Sequence, residues 1–264
     1  MRRTRALTTL ATAVSGLLLA LVGGGTAQAA GPSYVALGDS YSSGNGAGNY
    51  IDSSGDCHRS NSAYPALWAA ANAPSSFSFA ACSGAVTSDV TGSQLSALNA
   101  DTQLVSISIG GNDAGFADVM TTCVISSVDT CLGDIATAES FISGTLPGRL
   151  DATYDAIRAG APDARVVVLG YPRMYIEPSP GCAGIGETKR EAINDASDLL
   201  NTVIADRAAA HGFAFGDVRN TFDGHELCSG DDWLHDLALP VWESYHPTAV
   251  GHSSGYLPAL NAND

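Results

Sequence analysis

The chain has 264 residues, 27 of them acidic against 12 basic, for a formal net charge of −15. That length suits one sizeable core, and no internal repeat or long Pro-rich or Ser-rich linker divides it into two. The acidic balance argues against a nucleic-acid partner and makes anionic membrane surfaces repulsive on average.

Residues 1–29 read as a secretory leader. Arg2, Arg3 and Arg5 give a basic start, Ala11 to Val22 an apolar run, and Ala27-Gln28-Ala29 a small-residue cleavage site. The run is short for a membrane span, is followed by Gly23-Gly24-Gly25, and no later stretch reaches the roughly 18–20 apolar residues of a spanning helix. The expectation is a signal peptide over 1–29, one mature domain over 30–264, and export to the extracellular medium without stable membrane insertion. Six cysteines in an exported chain imply a disulfide framework, whose pairing the sequence leaves open. Zinc is the competing account of those cysteines, and no Cys-x-x-Cys or His-Glu-x-x-His spacing supports it.

Strand and helix signals alternate along the mature chain. A first strand is expected over 34–38, running into Gly38-Asp39-Ser40-Tyr41-Ser42-Ser43-Gly44. A helix over 64–71 and a strand over 76–80 lead into Ala81-Cys82-Ser83-Gly84-Ala85. Alternating Val105, Ile107 and Ile109 mark a strand over 104–109 that ends in Gly110-Gly111-Asn112-Asp113. Helical periodicity covers 135–159, with a break at Pro147-Gly148. The run 165–170 is continuously apolar after its first residue, as a parallel strand covered on both faces should be. There follow a helix over 187–211, a strand over 213–217, the loop Glu243-Ser244-Tyr245-His246-Pro247 and a C-terminal helix after Pro247. The alternation predicts an α/β fold, a three-layer doubly wound parallel sheet.

Four of these segments lie where a strand ends or a loop begins. A single sheet edge would gather them, the edge at which open α/β sheets keep their ligands. In the first, Gly38 and the small residues after Ser40 allow a sharp turn that exposes the Ser40 hydroxyl, as a nucleophile requires. A plain helix N-cap is the simpler reading of the same Gly-Asp-Ser turn. Serine needs a base to take its proton, and the imidazole of His246 suits that task near pH 7. His58, His211, His225, His235 and His252 carry no comparable signal.

Together the four blocks resemble the SGNH hydrolases of the GDSL family, named for a serine, a glycine, an asparagine and a histidine, here Ser40, Gly84, Asn112 and His246. The resemblance spans essentially the whole chain after the leader. The six cysteines and the Ser-Tyr-His-Pro segment ending at Pro247 point, within the family, to the secreted Streptomyces lipases and phospholipases. It implies a five-stranded sheet in the flavodoxin-like order 2-1-3-4-5 and the disulfides Cys57–Cys82, Cys123–Cys131 and Cys182–Cys228. It also implies Ser40 as nucleophile, His246 as base, and an oxyanion hole made by the backbone N–H groups of Ser40 and Gly84 and the side-chain amide of Asn112.

One position departs from the family. Most members carry an aspartate three residues before the histidine, where this chain has Glu243, so either the Glu243 carboxylate or the main-chain carbonyl of Ser244 would orient His246. Asp39 and Asp113 are expected to brace the neighbouring loops. Tyr41, Ile51, Phe116 and Tyr175 are expected to line an acyl groove or to belong to the core. The implied activity is that of a carboxylic ester hydrolase, a lipase or phospholipase A acting as a monomer on a lipid or other acyl ester, with no metal and no organic cofactor. A carbohydrate acetyl esterase is the alternative on the same residues. A non-catalytic secreted binding module would have lost one of the four blocks, and none is lost.

Overall fold

Five parallel strands, β1 (Gly31–Gly38), β2 (Pro74–Phe79), β3 (Leu104–Ser108), β4 (Arg165–Leu169) and β5 (Ala214–Gly216), form one sheet in the order β2-β1-β3-β4-β5. The computed structural model describes residues 31–178 and 181–264, so the leader expected over 1–29 lies outside the described residues. Between and after the strands run α1 (Ser40–Ser43), α2 (Tyr64–Asn72), α3 (Thr87–Ser93), α4 (Phe116–Ile125), α5 (Val128–Gly144), α6 (Leu146–Gly160), α7 (Glu187–Ala210), α8 (Arg219–Phe222) and α9 (Leu257–Asn261). On one face α2 packs against β1 and β2, beside α9 against β4; on the other, α3, α5, α6 and α7 pack together, with α7 against β4 and β5.

The central strands follow from their sequence. Tyr34, Ala36 and Leu37 of β1, Val105 and Ile107 of β3, and Val167 to Leu169 of β4 are wholly buried, because parallel strands between two helical layers have no wet face. The edge strand β2 keeps Ser75 and Ser76 exposed. No helix among the described residues is long and apolar enough to cross a membrane.

Several boundaries differ from expectation. The break expected at Pro147-Gly148 within 135–159 falls at Thr145, between α5, which begins earlier at Val128, and α6, whose first turn holds Pro147. Proline is tolerated there because a first-turn N–H has no intrahelical acceptor. Helices α3 and α4 were not expected. The C-terminal helix begins as a wide π-turn over Gly251–Tyr256, where a Cβ on Gly255 would fall 2.2 Å from the ring of Phe222. Three disulfides are present, Cys57–Cys82, Cys123–Cys131 and Cys182–Cys228.

Candidate active site

The carboxyl ends of β1 and β3 set the site. Gly38, the last residue of β1, has φ +122°, and a Cβ there would lie 2.5 Å from the Ser108 carbonyl oxygen, so only glycine fits. The buried amide of Gln94 holds it from both sides, accepting from the Gly38 N–H at 2.7 Å and donating to its carbonyl at 2.9 Å. Next in chain, Asp39 is the N-cap of α1: its Oδ1 accepts from the Tyr41 N–H at 3.0 Å and the Ser108 hydroxyl at 2.7 Å, and its Oδ2 from the Tyr171 hydroxyl at 2.5 Å. Asp39 therefore satisfies the cap reading of the turn, and Ser40, first residue of α1, keeps its hydroxyl for another partner.

That partner is His246. Its Nε2 lies 2.8 Å from Ser40 Oγ, and its Nδ1 lies 2.9 Å from the carbonyl oxygen of Ser244. The Glu243 carboxylate faces elsewhere and accepts from the Tyr50 hydroxyl at 2.6 Å. A short antiparallel ladder fixes the histidine loop: His235 N–H donates to the His246 carbonyl and Tyr245 N–H to the His235 carbonyl, both at 2.9 Å. His235 Nε2 lies 2.8 Å from the Gly46 carbonyl, which ties this ladder to the loop after α1. Within the ladder Tyr245 has φ +60°, and its carbonyl accepts from the Tyr41 hydroxyl at 2.6 Å.

Gly84 and Asn112 line the same cavity as Ser40 and His246. Gly84 has φ +75°, a left-handed turn that favours glycine, and a Cβ there would meet no protein atom within 4 Å. The turn is pinned by the Cys82 N–H to the Gly38 carbonyl at 3.0 Å and by the disulfide to Cys57. Asn112 donates one amide hydrogen to the Ala85 carbonyl at 3.0 Å, leaving the second for the cavity that it lines. Asp113 braces the loop, accepting from Thr87 N–H (2.9 Å), Thr87 hydroxyl (2.6 Å) and Arg149 (3.1 Å). The Ser40 N–H belongs to the first turn of α1 and has no intrahelical acceptor.

A cavity of about 780 Å³ opens over these groups, lined by Ser40, Gly84, Asn112 and His246 and, beyond them, mainly by apolar side chains from α4 and the loop 237–245. Phe116, Met120, Val124 and Ile125 come from α4, Leu237 and Val241 from the loop. Of the four expected groove residues only Phe116 lines it: Tyr41 is buried in the wall, Tyr175 is core, and Ile51 lies elsewhere. The sequence signal for α4 existed, since Phe116, Val119, Met120, Cys123 and Val124 follow helical spacing. Tyr171, Gln94 and His235 gain positioning contacts for which no motif spoke.

Burial pushes the His246 imidazole down to about 4, with the nearby His235 adding to the effect and the Ser244 carbonyl opposing it. The ring is neutral at pH 7 and able to accept the Ser40 proton. Burial likewise pushes Asp39 up to about 6, against the hydrogen bonds from Tyr171, Ser108 and Tyr41. Among the described residues no group of three or more His, Cys, Asp or Glu side chains is arranged to hold a metal ion.

Comparison with known proteins finds relatives along nearly the whole chain. The GDSL-like lipase/acylhydrolase family model matches residues 36–253. Lipase 1 of Streptomyces coelicolor is 62% identical over 99% of both chains. The crystal structure of a phospholipase A1 from Streptomyces albidoflavus is 60% identical and superposes with a TM-score of 0.87, covering 89% of this chain and all of that one. An extracellular lipase from Streptomyces rimosus of known structure is 59% identical, with the same TM-score over 88% of this chain and 100% of its own. The chain belongs to the GDSL-like lipase/acylhydrolase family.

Proposed function

We propose that the protein is a secreted carboxylic ester hydrolase, a lipase or phospholipase A, that works through an acyl-enzyme on Ser40. The observation that carries this reading is the relay from Ser40 Oγ to His246 Nε2 at 2.8 Å and from His246 Nδ1 to the Ser244 carbonyl at 2.9 Å, at the head of a 780 Å³ apolar cavity. The Ser40 oxygen attacks the ester carbonyl while His246 takes its proton. The Ser244 carbonyl accepts the Nδ1–H, which fixes the tautomer that leaves Nε2 free as base. The tetrahedral oxyanion is met by the Ser40 and Gly84 N–H groups and the free amide hydrogen of Asn112. His246 then gives its proton to the leaving alcohol, and water, activated by the same imidazole, releases the acid and restores Ser40.

The cavity favours a long acyl group over acetyl. Two carbons would leave Met120, Val124, Ile125 and Leu237 without a partner, whereas a fatty chain buries them together, at about 0.8 kcal/mol per methylene. Export is supported by the basic-apolar-small order of residues 1–29, by the three disulfides and by the description of one relative as extracellular. The decisive experiment treats mature protein and Ser40→Ala with long-chain p-nitrophenyl esters, phosphatidylcholine and acetylated xylan. Loss of all ester cleavage in Ser40→Ala, with wild-type activity on the lipid substrates, is the expected result. Full activity in Ser40→Ala overturns the mechanism, and cleavage of xylan acetate alone overturns the lipase assignment.

A further inference from the structure

Behind the inner wall of the groove lie two small cavities, and Phe116 lines all three spaces. One, of about 50 Å³, is lined by apolar side chains of α4, α5 and α7, including Met120, Ile135, Ile142 and Ile193. The other, of about 30 Å³, reaches from Ser40 and Asn112 past Phe116 to Met174 and Leu200. Gly111, Ser197 and Leu200 line both small cavities, so the two are neighbours in one layer. The one polar side chain lining the cavity among α4, α5 and α7, Ser197, is already engaged, donating to the Ile193 carbonyl at 3.1 Å. Phe116 itself is half-buried at the first position of α4, after Gly115 at φ +77°.

We propose that Phe116 is a partition between the open groove and an inner chamber among α4, α5 and α7, and that this chamber takes the distal methylenes of a long acyl chain. The inference rests on Ser40 being the nucleophile of an ester hydrolase. An apolar chamber with no unsatisfied polar group gains nothing from water and accepts hydrocarbon. Chain methylenes beyond the reach of the open groove stay wet unless the ring moves aside; each one that enters the chamber is worth about fourfold in kcat/KM. Phe116 thereby sets chain-length preference without touching the reacting atoms.

The test measures kcat/KM of the mature enzyme on p-nitrophenyl butyrate and p-nitrophenyl palmitate for wild type, Phe116→Ala, Phe116→Leu and Phe116→Ala/Ala196→Leu. Ala196 lines the inner cavity but neither the groove nor the Ser40 side. Removing the ring is expected to raise the palmitate-to-butyrate ratio at least about tenfold, as two or more further methylenes are buried. Phe116→Leu, the milder change at a half-buried site, gives a smaller rise of the same sign. Refilling the chamber with Ala196→Leu returns the ratio to the wild-type value. No rise in either single variant, or a rise that survives Ala196→Leu, overturns the chamber. Inactivity of the wild type on both esters overturns the hydrolase reading underneath it, and is distinguished by that fact.

Discussion

Tyr245 holds φ +60°, a conformation that disfavours any side chain, and its two hydrogen bonds, from the Tyr41 hydroxyl and to the His235 carbonyl, keep it there. The turn it makes aims the Ser244 carbonyl at an imidazole only two residues on, which no carboxylate at position 243 is needed to do. Glu243→Ala should therefore keep kcat within about tenfold of wild type, whereas Asn112→Ala, which removes a proposed oxyanion donor, should cost roughly 10² to 10³ in kcat. Steady-state kinetics on a soluble ester separates the two; a hundredfold loss in Glu243→Ala would return the orienting role to the carboxylate. The pH profile follows from the same burial. With His246 pushed down to about 4 from an ordinary 6.5, kcat/KM on a neutral ester should stay level from pH 7 to 5 and fall only near pH 4. Stability takes the same sign: the unfolded chain gains a proton on His246 below pH 6.5 and the native chain does not until about 4. His246 thus contributes stability above pH 6.5 that is lost as pH falls through that window, and His252, pushed down to about 3, adds to the loss. Asp39 works oppositely, its contribution being present below its ordinary 3.8 and lost as pH rises through about 6.

Among the elements, the strands were the most legible because a covered parallel sheet writes unbroken apolar runs, as in Val166 to Leu169, which are buried without exception. Helix α4 is less legible, since its ten residues lie between Gly115 and Ser126-Ser127, and a ten-residue amphipathic pattern is a short signal beside a glycine-rich motif. Yet α4 supplies one whole wall of the cavity. The site residues were legible as motifs, while the groups that hold them, Gln94, Tyr171 and His235, come from segments whose meaning exists only after folding. Disulfides tie the two kinds together. Cys57–Cys82 closes 25 residues and anchors the turn two positions before Gly84; Cys123–Cys131 closes only 8, at the far end of α4. Chain-entropy estimates give about 3.5 kcal/mol for the first and about 2.5 kcal/mol for the second. Paired Cys→Ser variants should then differ in two ways. Loss of Cys57–Cys82 should lower Tm further and also lower kcat, while loss of Cys123–Cys131 should act mainly on Tm and on long-chain KM, as calorimetry and ester kinetics would register.

For the molecule as a whole, charge and apolar exposure point in different directions. Acidic residues exceed basic ones by a net −15, yet the rim of the cavity is apolar. Ile125, Leu237 and Val241 line its mouth at 76%, 61% and 69% exposure, and Leu239, between the last two in sequence, is 88% exposed. Exposed large apolar side chains are ordinary when scattered; grouped around the groove that holds Ser40 they lower the cost of meeting an aggregated lipid. The long-range field opposes that meeting wherever the lipid is anionic, and screening removes the opposition, since the Debye length falls from about 10 Å at 0.1 M salt to about 3 Å at 1 M. Hydrolysis should accordingly be faster on phosphatidylcholine vesicles than on vesicles mixed with phosphatidylglycerol at low salt, and the gap should close as salt rises. Leu239→Asp should slow cleavage of both vesicle types severalfold while a soluble butyrate ester, which needs no surface, is cleaved at the wild-type rate. Equal rates on the two vesicle types at low salt would mean that the net charge is held far from the mouth; a butyrate loss in Leu239→Asp as large as the vesicle loss would place Leu239 in the support of the catalytic loop and not at the lipid surface.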